Sequence, residues 1–391
     1  MLSLLLVVTV ALLSFLMSAC VPSEAITAEQ RTFLDISLKY LGEYQLPKME
    51  FKDTKVGGLS GLSYDKQRDR FYAISDDRSQ LAPARFYTLK LILNQTNTGE
   101  ITIDKVEIED VTLITNEQGK TFVPGSIDPE GIALSAQGNV FISSEGSTKQ
   151  GIAPFIREFD LNTGKQLQSL PIPERYLAND ASDEEQSPRG IQNNLGFESL
   201  TLEPLSLAAA KGDPFRLFTA TESALFQDTL PPPSEEELPQ PARIRMMQYL
   251  IGEATPTLLV SENVYLLDIA PSGTIANGLT DLITLGNAGH FLSLERTYGL
   301  GGNSAKIYQL ATGSATDTSG IFTLKGDISR IEPIQKKLLL DLSELGIYLD
   351  NLEGIELGPR LSDGTQSLLL VSDDNFREEQ VTQFLLFKLE S

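Results

Sequence analysis

The sequence predicts an all-β fold, a β-propeller of about five four-stranded blades that is closed by a strand from the N-terminal region. Three observations support this prediction. One sequence pattern recurs five times at intervals of 68 to 83 residues, and each interval contains about four short apolar runs. The fifth repeat contains only three such runs before the sequence ends. Self-similarity at such a period is typical of repeat architectures, and four antiparallel strands repeated around an axis form a propeller blade. A sixth blade fits only if one long connection hides it.

The recurring phrase is an acid that opens a short apolar strand, a turn, and a second apolar strand that closes on another acid. Acids stand at nine of the ten anchor positions, the exception being Ser60. The openings are Ser60, Glu130, Glu198, Asp281 and Glu353, and the closings are Asp76, Glu145, Glu222, Glu295 and Asp373. Because the first and second strands are antiparallel neighbours, the anchors of all blades should share one face of the disc.

The second repeat shows the four strands of a blade most plainly, as apolar or β-branched runs separated by turn residues. The predicted strands are Gly131 to Leu134, Asn139 to Ser144, Phe155 to Leu161 and Gln166 to Ile172.

The fifth repeat ends with its third strand, Gln383 to Leu389, so its fourth strand must come from elsewhere. The segment Ser37 to Pro47 precedes the first repeat and ends on an apolar run and a proline, as the fourth strand of the second repeat does. We expect this segment to close the ring, because closure leaves no unpaired sheet edge between the first and last blades.

The composition suits one large exported domain that handles a small molecule. The chain has 391 residues, of which 41% are hydrophobic, and 53 acids against 31 bases give a net charge of −22. Such a charge argues against binding nucleic acid or an anionic membrane surface and favours cations. We expect a monomer whose partner is a small-molecule phosphate or carboxylate ester.

The N-terminus resembles a bacterial lipoprotein signal. Residues 1 to 19 carry no charge, and Leu16-Met-Ser-Ala precedes Cys20, the only cysteine. This predicts a signal peptide over 1–20 with lipid on Cys20, a tether over 21–36 and a propeller over 37–391, held at the cell envelope in the periplasm or at an outer membrane face. An uncleaved membrane helix is the alternative. A single cysteine leaves no disulfide within the chain.

The innermost strand of each blade should carry its opening acid to the mouth of the central channel. Bases recur where the third strands begin on the same face, at Arg85, Arg157, Arg245 and Lys306. Carboxylates that crowd together are costly unless they are protonated, paired or bound to metal, and oxygen ligands favour Ca²⁺ or Mg²⁺. The alternative is structural pairing between neighbouring strands, such as Glu145 with Arg157, or capping of turns.

Four further features are predicted to lie around the blades. His290, the only histidine, precedes a second strand on the face opposite the acids and is expected to be structural. Gly299 to Asn303 is expected to be a flexible turn, and the alternative is that its backbone N–H groups contact an anion. Leu230 to Pro241 is expected to be an exposed acidic loop, and Tyr176 to Asn194 a solvated connection on the face away from the acids.

At these phrases the sequence resembles the phytase-like family, a domain described as having esterase-like activity of phytase. The resemblance covers about residues 50 to 391. The matching phrases are GGLSGLSYD with FYAISDD, DPEGIAL with VFISSEG, GFESLTL with LFTATES, GLTDLITL with HFLSLERTYG, and NLEGIELGP with LLLVSDDNF.

The resemblance implies a propeller that holds Ca²⁺ with carboxylates and binds phosphate between metal and base. The implied metal ligands are Asp76, Asp77, Asp128, Glu130, Glu145, Glu198, Glu222, Asp281, Glu295, Glu353, Asp373 and Asp374. Arg78 and Arg296 are the implied anion contacts.

The function predicted from these features is a Ca²⁺-dependent hydrolase of phosphate esters or related esters. Glu130, Glu295 and Arg296 are its predicted catalytic residues, and Arg78, Arg85, Arg157, Arg245 and Lys306 its predicted substrate contacts. A non-catalytic propeller that uses Ca²⁺ structurally and binds a protein, glycan or small ligand is the alternative, and lactone hydrolysis at one Ca²⁺ is a third reading. A serine esterase is disfavoured, because Gly58-Leu-Ser60-Gly61 lacks the spacing of a nucleophile elbow.

Overall fold

The computed structural model of the chain describes residues 32–96, 99–179, 187–204, 212–233, 238–252, 255–286 and 289–390. The predicted signal peptide, Cys20 and most of the tether lie outside these residues. The chain divides into the units Met1–Asp35 and Ile36–Ser391, and the second unit holds all the strands described below. No helix in the described part of the chain has the length and apolarity needed to cross a membrane.

The described strands follow one another along the chain with only short 3₁₀ turns between some of them. They are β1 (Ser37–Leu46), β2 (Met49–Phe51), β3 (Thr54–Val56), β4 (Leu59–Asp65), β5 (Arg70–Ser75), β6 (Arg85–Gln95), β7 (Ile101–Leu113), β8 (Pro129–Leu134), β9 (Asn139–Ser144), β10 (Phe155–Asp160), β11 (Gln166–Ser169), β12 (Phe197–Pro204), β13 (Phe215–Thr221), β14 (Arg243–Gly252), β15 (Thr255–Leu266), β16 (Thr274–Thr284), β17 (His290–Gly299), β18 (Gly302–Ala311), β19 (Gln335–Asp341), β20 (Asn351–Arg360), β21 (Gln366–Asp373) and β22 (Thr382–Glu390).

These strands form five antiparallel four-stranded blades, which confirms the predicted propeller. Blades 1 to 4 are β4–β7, β8–β11, β12–β15 and β16–β19, each in chain order. Blade 5 is β20, β21 and β22 with β1 as its outer strand, and the β1–β22 pairing runs from Ser37 opposite Glu390 to Leu46 opposite Thr382. The predicted closure by the N-terminal strand is therefore confirmed. A small hairpin, β2 with β3, links β1 to blade 1.

The hydrophobic core is divided among the five interfaces between neighbouring blades. Each interface has its own cluster of buried side chains, with Phe71 and Phe384 between blades 1 and 5 as one example and Phe218 and Phe291 between blades 3 and 4 as another. The remaining three clusters fill the other interfaces in the same way. Burial of these alternating apolar side chains, at roughly 25 cal/mol per Å² of apolar surface, supplies the main driving force for closing the ring.

The first strands of the blades pack around the axis closely enough to need glycine. A Cβ atom at Gly131 would lie 2.5 Å from the carbonyl oxygen of Glu198 in the next blade, and one at Gly61 would lie 2.7 Å from that of Glu130. Real Cβ atoms do not approach backbone oxygen so closely, so glycine is required there. This tight centre fixes the positions of the residues directly above it.

Candidate functional site

A cavity of about 580 Å³ lies over the axis on the face where the first strand of each blade begins, which we call the acidic face. Its position agrees with the expectation that the opening and closing anchors share one face. The lining residues are Asp76, Glu130, Asn194, Glu198, Glu222, Ala276, Arg296, Tyr298, Gly302, Asn303, Tyr348, Leu349, Asp350, Asn351, Glu353, Asp373, Asn375, Arg377, Glu379 and Gln380.

Strand register defines two rings of side chains on this face. Near the start of each first strand the pairing with the second strand shifts, as between Phe197 and Ser199 in blade 3. The residues within these shifts form the inner ring, which comprises Ser60, Glu130, Glu198, Thr280 and Glu353. The residues at the matching position beside the second strands form the outer ring, which comprises Asp76, Glu145, Glu222, Arg296 and Asp373.

Blade 4 corrects two placements made from the sequence. Leu279 pairs with Glu295, and Asp281 pairs with Leu294, so Thr280 and Arg296 occupy the ring positions. Asp281 lies one layer deeper, where its carboxylate accepts hydrogen bonds from the N–H groups of Ile355, at 2.9 Å, and Leu282. A shift of one residue along a strand turns a side chain to the other face of the sheet. The predicted anchors of blade 4, Asp281 and Glu295, are each one residue away from the positions that carry the ring side chains.

Glu295 accordingly lies outside the cavity. It accepts a hydrogen bond from Tyr265, is 2.6 Å from the Nζ atom of Lys336, and accepts the N–H of Asp268 at 3.1 Å. Only 3% of the residue is exposed, so these partners surround it within blade 4 and its interface with blade 3. The predicted catalytic place of Glu295 beside a substrate is therefore corrected to a buried structural contact.

Acids of blades 1 to 3 form two overlapping groups that meet at Glu130. In the first group, one carboxylate oxygen each of Asp76, Asp128 and Glu130 lies within 4.8 Å of the others, and in the second the same holds for Glu130, Glu145 and Glu198. Three oxygens in these groups, Asp76 Oδ1, Asp128 Oδ2 and Glu145 Oε2, are buried and receive no hydrogen bond from a donor among the described residues, while the carboxyl groups of Asp76 and Asp128, and those of Glu145 and Glu198, are close enough to share a proton.

Burial and mutual repulsion disfavour the ionised forms of these acids. Burial, followed by the charges of Asp76 and Glu145, raises the pKa of Asp128 to about 9. Burial also raises the pKa of Glu145 to about 7 and places the pKa values of Glu130 and Glu198 well above their usual range. The group can therefore take up either protons or a cation, since both relieve the same repulsion.

Oxygen-only donors with unsatisfied lone pairs fit a hard divalent cation. Ca²⁺ and Mg²⁺ both prefer carboxylate oxygen, and Ca²⁺ tolerates irregular geometry better. The buried oxygens of Asp76, Asp128 and Glu145 would each otherwise carry a desolvation cost of about 1–3 kcal/mol or more. Five of the twelve ligands that the family resemblance implies, Asp76, Asp128, Glu130, Glu145 and Glu198, thus form groups that could hold such a cation.

Two arginines stand beside the acids. Arg78 donates from Nε to Asp128 Oδ1 at 2.6 Å and from a terminal nitrogen to Asn194 Oδ1 at 2.5 Å, and about a third of its side chain is exposed. Arg296 lies between Glu222 and Glu353, with a nitrogen to oxygen distance of 2.9 Å to each, and also donates to Asn351. Burial alone would lower the pKa of Arg296, yet the carboxylates of Glu353 and Glu222 raise it.

Two other predicted metal ligands are held away from the cavity by their own hydrogen bonds. Asp77 accepts the backbone N–H groups of Gln80, Leu81 and Ala82 and pairs with Arg85 at 2.7 Å. Asp374 accepts the N–H of Gly58 at 2.9 Å and pairs with Lys48 at 2.5 Å. Both acids fasten loops, which is the capping role that the alternative reading expected.

The third-strand bases are also committed to structural contacts. Arg85 is buried with Asp77 and the carbonyl oxygen of Lys55. Arg245 makes a bidentate pair with Asp228 and a second pair with Glu262.

The other two bases differ in environment. Arg157 lies over the ring of Phe155 at 3.7 Å, whereas Glu145 accepts the N–H of Gly196, so the suggested pair between Arg157 and Glu145 does not form. Lys306 pairs with the half-exposed Asp268 at 2.8 Å. None of the four contributes to the cavity lining described above, which corrects their expected placement beside a substrate.

The sequence analysis did not single out several residues of the cavity. Asn351 stands two residues before Glu353 in a matching phrase, so its position was a usable signal. Asn194 belongs to the connection that was expected on the opposite face, and this expectation is wrong. A fourth strand ends on the face where the next first strand begins, so the described residues of this connection next to β12 lie on the acidic face.

The remaining loops divide between the cavity and other places. Gly302 and Asn303, from the turn for which anion contact was the alternative prediction, line the cavity. The described residues of the Pro-rich loop line a separate cavity of about 370 Å³ with Gln192 and Ala224, while its residues 234–237 lie outside the described part of the chain. His290 begins β17 at the opposite end of blade 4 from the cavity, as expected.

Comparison with known proteins adds one family match. The sequence model described as "Phytase-like: Esterase-like activity of phytase" matches residues 54–376. No curated protein matches the chain.

Solved structures with a similar fold are distant in sequence. A thermostable family-43 glycoside hydrolase is 9% identical with a TM-score of 0.46, and the match covers 87% of this chain and 92% of that one. The GH62 α-L-arabinofuranosidase catalytic domain of Coprinopsis cinerea is 9% identical with a TM-score of 0.37, covering 91% and 98%. A GH32 β-fructofuranosidase of Bombyx mori is 10% identical with a TM-score of 0.36, covering 85% and 60%.

Proposed function

This chain belongs to the phytase-like family, and on that premise we propose that it is a hydrolase of phosphate esters or related esters that works with Ca²⁺, or with Mg²⁺ in its place. The observation that carries the proposal is the set of buried carboxylate oxygens without donor partners, on Asp76, Asp128 and Glu145, together with Arg78 paired to Asp128 and Arg296 at the cavity wall.

The cation would be held by the two acid groups of blades 1 to 3. Their members are Asp76, Asp128, Glu130, Glu145 and Glu198. A bound divalent cation in such a site supplies a Lewis acid for a phosphoryl or carbonyl oxygen and lowers the pKa of a bound water. Glu130 belongs to both groups, so it is the acid whose loss should matter most.

The chain's own residues bind and orient the ester. Arg296 is held rigidly by Glu222 and Glu353, so its positive charge is fixed at the cavity wall without further ordering cost. Arg78 is partly exposed and anchored through Asp128 and Asn194, which suits contact with an anionic group. Tyr298 and Tyr348, 44% and 58% exposed, form apolar parts of the rim.

The acids also set a condition for substrate binding. An anionic ester entering the cavity meets the carboxylates of both rings, which repel it while they are ionised. Neutralisation of these acids must therefore accompany binding of an anionic substrate. Removal of divalent cations should weaken binding as well as turnover.

The test is hydrolysis of a panel of phosphate monoesters and diesters, phytate and carboxylate esters, with Ca²⁺ and with a chelator. We expect turnover that the chelator abolishes and Ca²⁺ restores. Absence of turnover on the whole panel, with Ca²⁺ raising only the melting temperature, would contradict the enzyme and identify a non-catalytic propeller that binds a ligand at this cavity.

The substitution Glu130→Gln separates the site from the fold. It keeps the size of the side chain but removes the shared charge, so we expect at least a 100-fold loss of turnover and weaker Ca²⁺ binding by calorimetry. Glu356→Gln is the matched control. Glu356 is a partly buried acid on β20, the first strand of blade 5, and burial raises its pKa to about 8. It lies at the end of the first strands away from the acidic face. Equal turnover in the two variants would refute the assignment.

A further inference from the structure

Blade 4 carries a base where the other four blades carry an acid. Asp76, Glu145, Glu222 and Asp373 fill the outer-ring position of their blades, and Arg296 fills it in blade 4. The inner-ring residue of blade 4 is Thr280, which is uncharged. The propeller repeat therefore places a guanidinium inside a ring of carboxylates at one defined blade.

Arg296 neutralises the acids on its own side of the cavity. Its two terminal nitrogens reach Glu222 in blade 3 and Glu353 in blade 5, each at 2.9 Å, and Asn351 accepts a further hydrogen bond. Its side chain is 15% exposed, and its Nε is buried without a partner among the described residues. A buried guanidinium between two carboxylates bridges them through charge-assisted hydrogen bonds.

The two acid groups that meet at Glu130 have no such bridge. Arg78 reaches Asp128 from the rim and is itself partly exposed, while oxygens of Asp76, Asp128 and Glu145 remain buried without partners in the described structure. Glu222 and Glu353 thus have a buried positive charge between them, whereas the acid groups around Glu130 have only the partly exposed Arg78 at their edge.

From this asymmetry we propose that Arg296 is a tethered cation that occupies the place of a second metal ion and restricts divalent cations to the side of blades 1 to 3. The proposal rests on the cation site of the proposed function. It goes further in stating that no divalent cation binds between Glu222 and Glu353 and that Arg296 is the residue that prevents it. Arg296 acts here as a residue that determines the number of bound cations.

The proposal predicts a gain of binding on removal of the arginine. With Arg296→Gln, the carboxylates of Glu222 and Glu353 lose their counter-charge and face each other across the space that the guanidinium filled. A divalent cation relieves the same repulsion, so the variant should bind one more Ca²⁺ per chain than the unmodified protein. Arg296→Lys keeps a positive charge there and should not gain the site.

The experiment is calorimetric titration of the metal-free protein with Ca²⁺ alone, with the number of ions per chain as the readout. The expected result is one additional ion for R296Q, no additional ion for R296K, and loss of the additional ion in R296Q/E222Q. Arg377→Gln is the matched control, because Arg377 lines the same cavity and the change in net charge is the same. It should leave the ion count unchanged.

Equal ion counts in R296Q and the unmodified protein would overturn the inference, and so would an equal gain in R377Q. If R296Q does not fold, R296K and R296M, with melting temperatures measured with and without Ca²⁺, provide the same comparison. Failure of the proposed function is a separate result, since the ion counts do not depend on any substrate being hydrolysed.

Discussion

At the scale of single residues, the acidic face shows two different uses of buried charge. The carboxylate oxygens of one kind of acid accept hydrogen bonds from backbone N–H groups and neighbouring bases, and these contacts hold loops and strands together. These acids are Asp77, Asp374 and Glu295. Asp76, Asp128 and Glu145 keep buried oxygens without partners. Only the second kind leaves donor atoms for a ligand, although both kinds look alike in the sequence.

The buried ion-pair cluster of Arg245 gives a prediction on stability. Arg245→Gln leaves Asp228 and Glu262 buried without their main counter-charge, which should lower the free energy of unfolding by about 3–5 kcal/mol. Urea unfolding monitored by circular dichroism measures this change.

Lys306→Gln provides the control from the equivalent base of blade 4. Lys306 and Asp268 are partly exposed, so solvent screens their pair, and the expected loss is below about 1 kcal/mol. Similar losses in the two variants would show that burial does not set the strength of these pairs.

At the scale of the secondary-structure elements, the register shifts at the start of the first strands determine which side chains reach the cavity. In blade 5 the shift lies between Leu352 and Gly354, and Glu353 projects within it. In blade 4 the same shift selects Thr280 in place of Asp281. A β-bulge re-aims one side chain at low cost, so the site depends on the position of each bulge.

The closing strand β1 gives a prediction at this scale. A chain that begins at Pro47 lacks β1 and leaves β22 as an open edge in blade 5, whereas a chain that begins at Ile36 keeps the full pairing. We expect the shorter chain to unfold at lower urea concentration and to aggregate, because an unpaired edge strand pairs with other chains. Size-exclusion chromatography and urea unfolding compare the two. A shorter chain that stays monomeric with unchanged stability would show that the closure is dispensable.

At the scale of the whole molecule, the net charge of −22 and the crowded acids make stability depend on protons and cations. The two rings hold seven carboxylates, six of which line one cavity, with Arg296 as the only base at a ring position. A closed ring cannot separate these acids without opening its blade interfaces. The folded protein therefore favours conditions that neutralise them.

The pH dependence of the metal-free protein follows from the raised pKa values. Burial raises the pKa values of Glu145 and Glu353 from 4.5 to about 7. Between pH 4.5 and about pH 7, the folded protein therefore keeps protons on these side chains that the unfolded chain has released. Stability is then greatest at low pH within this window and falls as pH rises through the folded pKa, by on the order of 3 kcal/mol for one such group.

Urea unfolding in the presence of a chelator at pH 5 and pH 8 measures this fall, and added Ca²⁺ should reverse it at pH 8. Glu145→Gln mimics the protonated side chain and should make the slope shallower. A free energy of unfolding that rises between pH 5 and pH 8 in the chelated protein would contradict the prediction.

The blade count of about five, with a sixth left open, the four-strand pattern, the closure by β1 and the face that carries the acids could all be predicted from the amino-acid sequence alone. These properties follow from local apolar periodicity and from a phrase repeated five times, and antiparallel pairing converts both into topology without further information. The acids Glu130, Glu198, Glu222, Glu353, Asp76 and Asp373 were brought to the cavity as the repeat predicted.

Which acids and bases share the cavity, and which are engaged in other contacts, depends on the packing of blades and loops and could not be predicted from the sequence. A one-residue difference in register moved Asp281 and Glu295 out of the rings and brought Thr280 and Arg296 in, and side-chain periodicity in a strand makes such a difference decisive. Loops and neighbouring strands supply the partners of Asp77, Arg85 and Arg245. The repeated sequence pattern does not include these partners, so it could not predict the contacts. For this reason the ring residues of blades 1, 2, 3 and 5 were predictable from the sequence, whereas those of blade 4 and the pairing of charges around the cavity were not.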